Sequence, residues 1–453
     1  MRLMSLLLLL VQGVAGAAQV EKVERPKTEH GFVTVHLPAQ FDPEQSYSVL
    51  YWFHCTGGRP NPGIGLGHER LVTVGMSYLK RDQVPPENYG GAHWEECLAL
   101  RAELEARGLK LERNLVAGMS KGGWMSFYIA AKPREQLHAA GIFAAGKDPN
   151  LGAVPSLEGR GLSVLVGTGE TDPNFPQAQL AVRSLREAGA QVFYEEWLGE
   201  GHTYHRDGRV RNWLDVETRR DDPERLVAFC DAEVGAEMAA IMAIGPGKDR
   251  YVALRKLAGD PRLRAASESW RERVRVAGKE LSEDEGVRDW LAELAELRGL
   301  VGREATFFAR RDFDVSKLGK LVEAYDRMLA DSRHPDLAAR AAYARRRAAK
   351  MLAIYTEQMK AREDPEYRAL MDEYGKLQAR YAEAKGKPGD EVMGKLKEVG
   401  ARLGELRHQA SMGAFRKVER GGGLMAGEPE AVGEAIEAGA NLQGPAAFGG
   451  IGF

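Results

Sequence analysis

The first half of the chain alternates short, nearly continuous apolar runs with longer segments in which apolar residues recur every three or four positions. The first pattern predicts buried strands and the second predicts amphipathic helices. The predicted strands are 32–37, 47–54, 71–78, 113–118, 139–145, 162–168 and 191–197, and the predicted helices are 93–107, 121–131 and 176–188. Apolar strands separated by helices are typical of the α/β class, with a mostly parallel sheet and helices on both faces.

Strand patterns end near residue 230, where the sequence becomes rich in Ala, Leu, Glu, Arg and Lys. Apolar residues at helical spacing, as in VRDWLAELAELRGLV, predict an all-α C-terminal region over residues 231–420. Within it, the arginine-rich run AYARRRAAK is interpreted as a solvent-facing helix surface, with an anionic partner as the alternative. The Gly- and Ala-rich tail, residues 421–453, is predicted to be disordered.

The N-terminus has the layout of a secretory signal peptide over residues 1–17. Arg2 precedes an apolar run from Leu3 to Val11, and small residues suited to cleavage follow. The run is shorter than the roughly 20 residues that span a bilayer, and no later segment is long and apolar enough. We therefore expect a secreted or periplasmic protein without a membrane span, whose α/β domain covers residues 18–230.

Composition narrows the possible class of protein further. A chain of 453 residues with 44% hydrophobic residues can form two or more packed domains, and a formal charge of −2 gives no bias towards nucleic acid. The spacing of Cys55, Cys97 and Cys230 matches no zinc motif, so these cysteines are interpreted as small buried hydrophobic residues. We expect neither a metal nor a nucleic-acid partner, and a protein partner for the helical region stays open.

One predicted strand ends in a motif with chemical meaning. Gly118, Ser120 and Gly122 match the Gly-X-Ser-X-Gly pattern, in which a strand turns sharply into a helix and presents the serine hydroxyl at the apex. Small residues two before and two after the serine are needed because larger side chains would collide in so tight a turn. The pattern alone is short, so its meaning depends on what the other strand ends carry.

Two further strands end in loops with the residues that a nucleophilic serine requires. Asp172 follows the strand 162–168, and His202 follows the strand 191–197. The chain order Ser120, Asp172, His202 is the order of an α/β-hydrolase triad, in which the histidine takes the serine proton and the carboxylate orients the histidine. Function also gathers at the carboxyl ends of parallel strands.

Each of these residues has a simpler explanation when it is taken alone. Ser120 could cap a helix, Asp172 could form a turn, and His202 could be an ordinary loop residue. The joint occurrence at three strand ends, in the required order, favours catalysis. Glu170 is an alternative acid and His205 an alternative base.

An oxyanion formed on a substrate would also need backbone donors. The first is the N–H group of Lys121, directly after the serine. The second is expected from the loop HCTGGRPN, residues 54–61, where Cys55 or Thr56 offers its amide. The alternative is that this loop is only a glycine turn.

With these motifs, residues 30 to about 230 resemble the α/β-hydrolase superfamily, and their layout is similar to polyhydroxybutyrate depolymerases, feruloyl esterases and dienelactone hydrolases. The resemblance implies hydrolysis of a small or polymer-derived ester through an acyl-enzyme on Ser120, without a cofactor. One departure is that His54 is followed by Cys55, where such enzymes often have glycine. Two alternatives stay open, a prolyl-oligopeptidase-like peptidase and a non-catalytic binding or scaffolding protein that uses the helical region.

Overall fold

The computed structural model describes residues 20–80, 88–148, 151–309, 314–383 and 390–420. The predicted signal peptide, residues 1–17, and the predicted disordered tail, residues 421–453, lie outside the described residues. No helix in the described part of the chain is long and apolar enough to cross a bilayer.

The first half of the chain forms one sheet. Its eight strands are β1 (Val20–Glu24), β2 (Phe32–His36), β3 (Ser46–Phe53), β4 (Leu71–Met76), β5 (Lys110–Met119), β6 (Leu137–Phe143), β7 (Ser163–Gly169) and β8 (Gln191–Trp197). Their order is β1-β2-β4-β3-β5-β6-β7-β8, with antiparallel pairing at β1–β2 and β2–β4 and parallel pairing from β4 to β8. The predicted mostly parallel sheet is confirmed.

Helices cover both faces of this sheet. They are α1 (Tyr89–Ala106), α2 (Lys121–Ala130), α3 (Phe175–Glu187) and α4 (Arg209–Glu217). Apolar side chains of α1, α2 and α3 share one core with the sheet, and those of α4 share a core with its other face. Alternate residues of strand β3 pack into the two cores. Val49 and Tyr51 face the first core, and Leu50 and Trp52 face the second.

The rest of the described chain is helical, as predicted. Its helices are α5 (Pro223–Ala243), α6 (Lys248–Ala258), α7 (Pro261–Ala265), α8 (Glu268–Ser282), α9 (Glu285–Ala309), α10 (Val315–Asp331), α11 (Pro335–Ala361), α12 (Pro365–Glu383) and α13 (Asp390–Arg420). Three apolar clusters hold them, one among α5–α8, one among α9–α11 and one between α12 and α13. The domain boundary expected at residue 230 falls inside α5.

A buried ion pair ties α11 to α9. The Arg347 guanidinium donates two hydrogen bonds of 2.7 Å to the Glu304 carboxylate, and the Tyr325 hydroxyl donates a third of 2.9 Å. Both charged side chains are almost completely buried. Burial opposes the charge on Arg347, but the Glu304 carboxylate outweighs it and raises the pKa of Arg347, so the guanidinium stays charged.

The same arginine reaches the α/β domain. Arg347 donates to the carbonyl oxygen of Glu170 in the loop after β7, and its guanidinium lies 4.1 Å from the centroid of the Phe175 ring. The interpretation of AYARRRAAK as a solvent-facing surface is therefore wrong for Arg347. It holds for the neighbour Arg345, which forms an exposed ion pair of 3.0 Å with Asp326. Arg345 and Arg347 are two positions apart on α11, so their side chains lie on opposite sides of the helix. One faces solvent and the other faces the protein interior.

Replacing Arg347 by alanine should destabilise the protein strongly, because it leaves the buried Glu304 carboxylate without its charged partner. We expect a loss of about 3–5 kcal/mol in the free energy of unfolding. The matched control, Arg345→Ala on the same helix, should cost under about 1 kcal/mol. Urea unfolding followed by circular dichroism measures both values. Equal small losses for the two variants would contradict the role given to the buried pair.

Candidate active site

Ser120 lies at the sharp turn between β5 and α2. Its backbone has φ 54° and ψ −119°, in a region that non-glycine residues seldom occupy. The Ser120 N–H group donates a 2.9 Å hydrogen bond to the Phe143 carbonyl at the end of β6, and the Ser120 carbonyl accepts one of 2.9 Å from Trp124. Such a conformation costs of order 1–3 kcal/mol and persists where the surroundings fix it.

The glycines around Ser120 let the backbones approach closely. A Cβ atom at Gly122 would clash with the carbonyl oxygen of Phe53 at the end of β3, and one at Gly118 would clash with the backbone of Gly122. At Gly123, a Cβ atom would lie 2.6 Å from the Phe143 carbonyl oxygen. The helix therefore begins directly against the ends of β3 and β6, and larger residues would push the turn apart.

Asp172 and His202 are in direct contact. The Nδ1 atom of His202 lies 3.2 Å from Oδ1 and 3.1 Å from Oδ2 of Asp172. The Asp172 carboxylate is fully buried, and its Oδ1 also accepts a 2.7 Å hydrogen bond from the N–H group of Asn174. This leaves Nε2 as the imidazole nitrogen that faces away from the carboxylate. The contact orients the ring, and because a carboxylate can only accept, it favours the tautomer with the proton on Nδ1.

The loops that carry these two residues are hydrogen-bonded to each other. The N–H group of Glu170 donates to the Trp197 carbonyl at 2.9 Å, and that of Thr171 donates to the Glu200 carbonyl at 2.8 Å. The hydroxyl of Thr171 donates to the same Glu200 oxygen at 2.7 Å. The acid loop, residues 170–174, and the histidine loop, residues 198–208, therefore form one unit beyond the ends of β7 and β8.

The histidine loop turns back across the sheet towards the serine. The ring of Tyr204, two residues beyond His202, has its centroid 5.1 Å from that of Trp52 in β3 and 6.4 Å from that of Phe143 in β6. Phe143 is the residue whose carbonyl accepts from Ser120. Ser120, Asp172 and His202 therefore all lie at the carboxyl edge of the sheet.

The alternative acid and base occupy other positions. The Glu170 carboxylate contacts Nε of Arg340 at 3.1 Å and accepts a 3.3 Å hydrogen bond from the N–H group of Gly199. Burial, followed by the negative charge of Glu196, raises its pKa. The His205 ring stacks on Trp197, with centroids 4.9 Å apart.

The expected oxyanion donors flank the serine. Lys121 begins α2, directly after Ser120, and Cys55 and Thr56 follow the end of β3. Because Phe53 of β3 pairs in register with Gly118 of β5, this loop starts beside the serine turn. The two segments that are expected to supply the donors are therefore neighbours at this edge of the sheet.

No disulfide joins the three cysteines in the described part of the chain. The interpretation as buried residues holds for Cys97 and Cys230 and is wrong for Cys55, which is partly exposed. Burial raises the pKa of the Cys97 and Cys230 thiols, which keeps them protonated and unreactive. Across the described residues, no three His, Cys, Asp or Glu side chains are grouped closely enough to hold a metal ion.

The helical region contributes contacts that the sequence did not reveal. Arg340 of α11 bridges Glu170 and Glu196, with Nη2 at 2.7 Å from the second carboxylate. Together with the bond from Arg347 to the Glu170 carbonyl, it holds the acid loop two residues before Asp172. The only sequence signal was the abundance of arginines in this segment, and the contacts of Arg340 and Arg347 with the α/β domain span 144 to 177 positions of the chain.

Part of the chain matches a known protein family. Residues 28–230 match the sequence model of the Esterase family, which supports a hydrolase domain of the esterase type in this part of the chain. The resemblance to α/β-hydrolase esterases is thereby confirmed. No curated protein sequence matches the chain significantly.

Several solved structures are similar to the α/β part. A ferulic acid esterase from the anaerobic fungus Anaeromyces mucronatus is 18% identical, with a TM-score of 0.31, over 42% of this chain and 85% of its own. A puromycin-hydrolysing peptidase from Mycobacterium tuberculosis is 17% identical, with a TM-score of 0.33, over 46% of this chain and 39% of its own. A thermostable esterase is 18% identical, with a TM-score of 0.30, over 40% of this chain and 54% of its own. These likenesses leave the substrate open.

The close approach around Ser120 can be tested by adding one methyl group. Gly122→Ala should lower the free energy of unfolding by about 3 kcal/mol or more, because the carbonyl of Phe53 cannot move without breaking the end of β3. The control is Gly278→Ala in α8, where a Cβ atom meets nothing within 4 Å. That change should stabilise the protein by about 0.5–1 kcal/mol. If thermal or urea unfolding shows Gly122→Ala to be as stable as wild type, the turn is looser than described.

Proposed function

We propose that this protein is a serine hydrolase that cleaves carboxylic esters through an acyl-enzyme on Ser120. The observation that carries the proposal is the buried Asp172 carboxylate at 3.1 Å from Nδ1 of His202, at the same sheet edge as the strained Ser120 turn. A fully buried carboxylate is costly unless it has a partner, and an imidazole that can become charged is a suitable one.

In the first half of the reaction, Nε2 of His202 takes the Ser120 proton while the serine oxygen attacks the carbonyl carbon of the ester. The carbonyl oxygen becomes negative, and the N–H groups of Lys121 and of Cys55 or Thr56 donate hydrogen bonds to it. The carbon–oxygen bond to the alcohol then breaks, and the imidazolium returns its proton to the leaving alkoxide. Asp172 stabilises the imidazolium throughout.

The second half repeats these steps with water. His202 takes a proton from a water molecule, whose oxygen attacks the acyl carbon. When the tetrahedral intermediate collapses, Ser120 leaves with the proton from the imidazolium, and the carboxylic acid is released. No group outside the side chains and amides already named is needed for the proton balance.

The family match favours esters over peptides, because the matched model is that of esterases. The N-terminal pattern favours an exported enzyme that acts on a small or polymer-derived ester outside the cytoplasm. A non-catalytic scaffold would have no need for a buried acid–histidine pair beside a strained serine. The helical region is better explained by its contacts with the acid loop, through which it positions Asp172.

The assignment of the acid can be tested with two isosteric changes. Asp172→Asn should lower kcat/KM for a short-chain p-nitrophenyl ester by about 10³ to 10⁴ fold, because the amide favours the wrong histidine tautomer. The matched control, Glu170→Gln, should lower it less than about tenfold, since Glu170 contacts Arg340 and Gly199 rather than His202.

Both variants are checked for wild-type circular dichroism, and the rates are measured under substrate-limited conditions. The reverse ranking would move the orienting role to Glu170. Full activity in both variants would refute the proposed mechanism. A wild type that cleaves the matching anilide as fast as the ester would favour the peptidase alternative.

A further inference from the structure

A large cavity lies away from the three residues of the proposed active site, between the sheet edge and the helical region. Its volume is about 860 Å³, within the range of sites that hold small organic ligands. The edge strand β8 and helix α3 form one side, and the helices α6, α7, α9 and α11 supply the other. The cavity therefore exists only when the two parts of the chain are packed together.

Most of the charged side chains that line this cavity are positive. Five arginines line it, and they come from five different helices: Arg186, Arg255, Arg264, Arg298 and Arg340. Two carboxylates, Glu196 and Asp260, are the acidic residues of the lining. Such a concentration of like charge is unfavourable unless something of opposite charge compensates it.

The two carboxylates are already engaged. Glu196 pairs with Arg340 at 2.7 Å, and Asp260 pairs with Arg262 at 3.0 Å while accepting a 2.7 Å hydrogen bond from Asn212. Arg262 belongs to a separate cluster that also includes Glu233 and Glu237 on α5. Neither of the two lining carboxylates therefore forms an ion pair with Arg186, Arg255, Arg264 or Arg298.

Four of the five lining arginines have no acidic partner in the described part of the chain. No described carboxylate lies within ion-pair distance of Arg186, Arg255, Arg264 or Arg298, and Arg186 donates to the Val192 carbonyl instead. Arg298 is exposed as a whole residue, whereas its guanidinium has lost part of its contact with water. This loss of water, followed by the positive charges of Arg255 and Arg340, lowers the pKa of Arg298. The Arg298 guanidinium is thus close enough to those of Arg255 and Arg340 to be repelled by them.

Apolar groups complete the lining. Phe175 and Phe193 come from the α/β domain, and Leu297 and Val301 come from α9. A ligand that fills the cavity would therefore meet cationic groups on several sides and carbon surface on others. A bare inorganic ion would leave most of this volume and all of this apolar surface unused.

We propose that this cavity binds a small organic anion that carries two or more phosphate or carboxylate groups. The planar guanidinium fork matches the oxygens of either group in a bidentate manner, and several forks from different helices can hold several such groups at once. This site is independent of the chemistry at Ser120. It is linked to that chemistry physically, because Arg340 lines the cavity and also holds Glu170 in the acid loop.

The test is isothermal titration calorimetry on the full-length Ser120→Ala protein, at constant ionic strength, with ATP, pyrophosphate and citrate as probes. Pyrophosphate and citrate distinguish phosphate from carboxylate recognition, and ATP adds an apolar body. We expect saturable binding of at least one probe with one site per chain. The double variant Arg255→Gln with Arg298→Gln should weaken it by at least about tenfold.

The control is Arg345→Gln, an exposed arginine of α11 whose partner is Asp326, and it should leave the affinity unchanged. If the double variant does not fold, Arg264→Gln replaces it, because that residue is exposed and makes no ion pair with a described carboxylate. Absence of saturable binding for all three probes would overturn the proposal. Equal affinity in the cavity variant and in wild type would overturn it as well.

Discussion

The site depends on one steric constraint, the direct contact of the first turn of α2 with the ends of β3 and β6. Because Gly122 lies against the Phe53 carbonyl, the chain has no room to leave β5 in a relaxed conformation. Ser120 must then adopt a positive φ. The neighbouring strands of the parallel sheet hold its backbone in this conformation. The strain is local, whereas the packing that maintains it involves the whole sheet.

A second constraint acts on the other side of the site. Asp172 and His202 lie on loops that hydrogen-bond to each other, and α11 holds the first of these loops through Arg340 and Arg347. The charge of Arg347 is balanced by Glu304 on α9, inside the helical region. The helices are therefore more than an appended unit, since the geometry of the acid loop depends on their packing.

The sequence alone predicted those parts of the structure that depend on residues close together in the chain. Apolar runs predicted the inner strands to within a few residues, and the spacing around Ser120 predicted the turn, because both reflect short-range sterics. Strand β1 was missed, since its five residues, VEKVE, are mostly exposed and its two valines are three positions apart, without the alternation that predicts a strand. The buried Arg347 was missed because burial of a charge depends on a partner, Glu304, that is 43 positions away. The catalytic roles of Ser120, Asp172 and His202 stay predictions.

The most direct test of the central claim is covalent labelling of the full-length protein with a fluorophosphonate, followed by intact-mass and peptide mass spectrometry. Such probes react with serines whose hydroxyl is activated by a neighbouring base. We expect one added label per chain, on the peptide that contains Ser120, and no label in a folded Ser120→Ala variant. A folded wild type that takes up no label, or a Ser120→Ala variant labelled to the same extent, would contradict it.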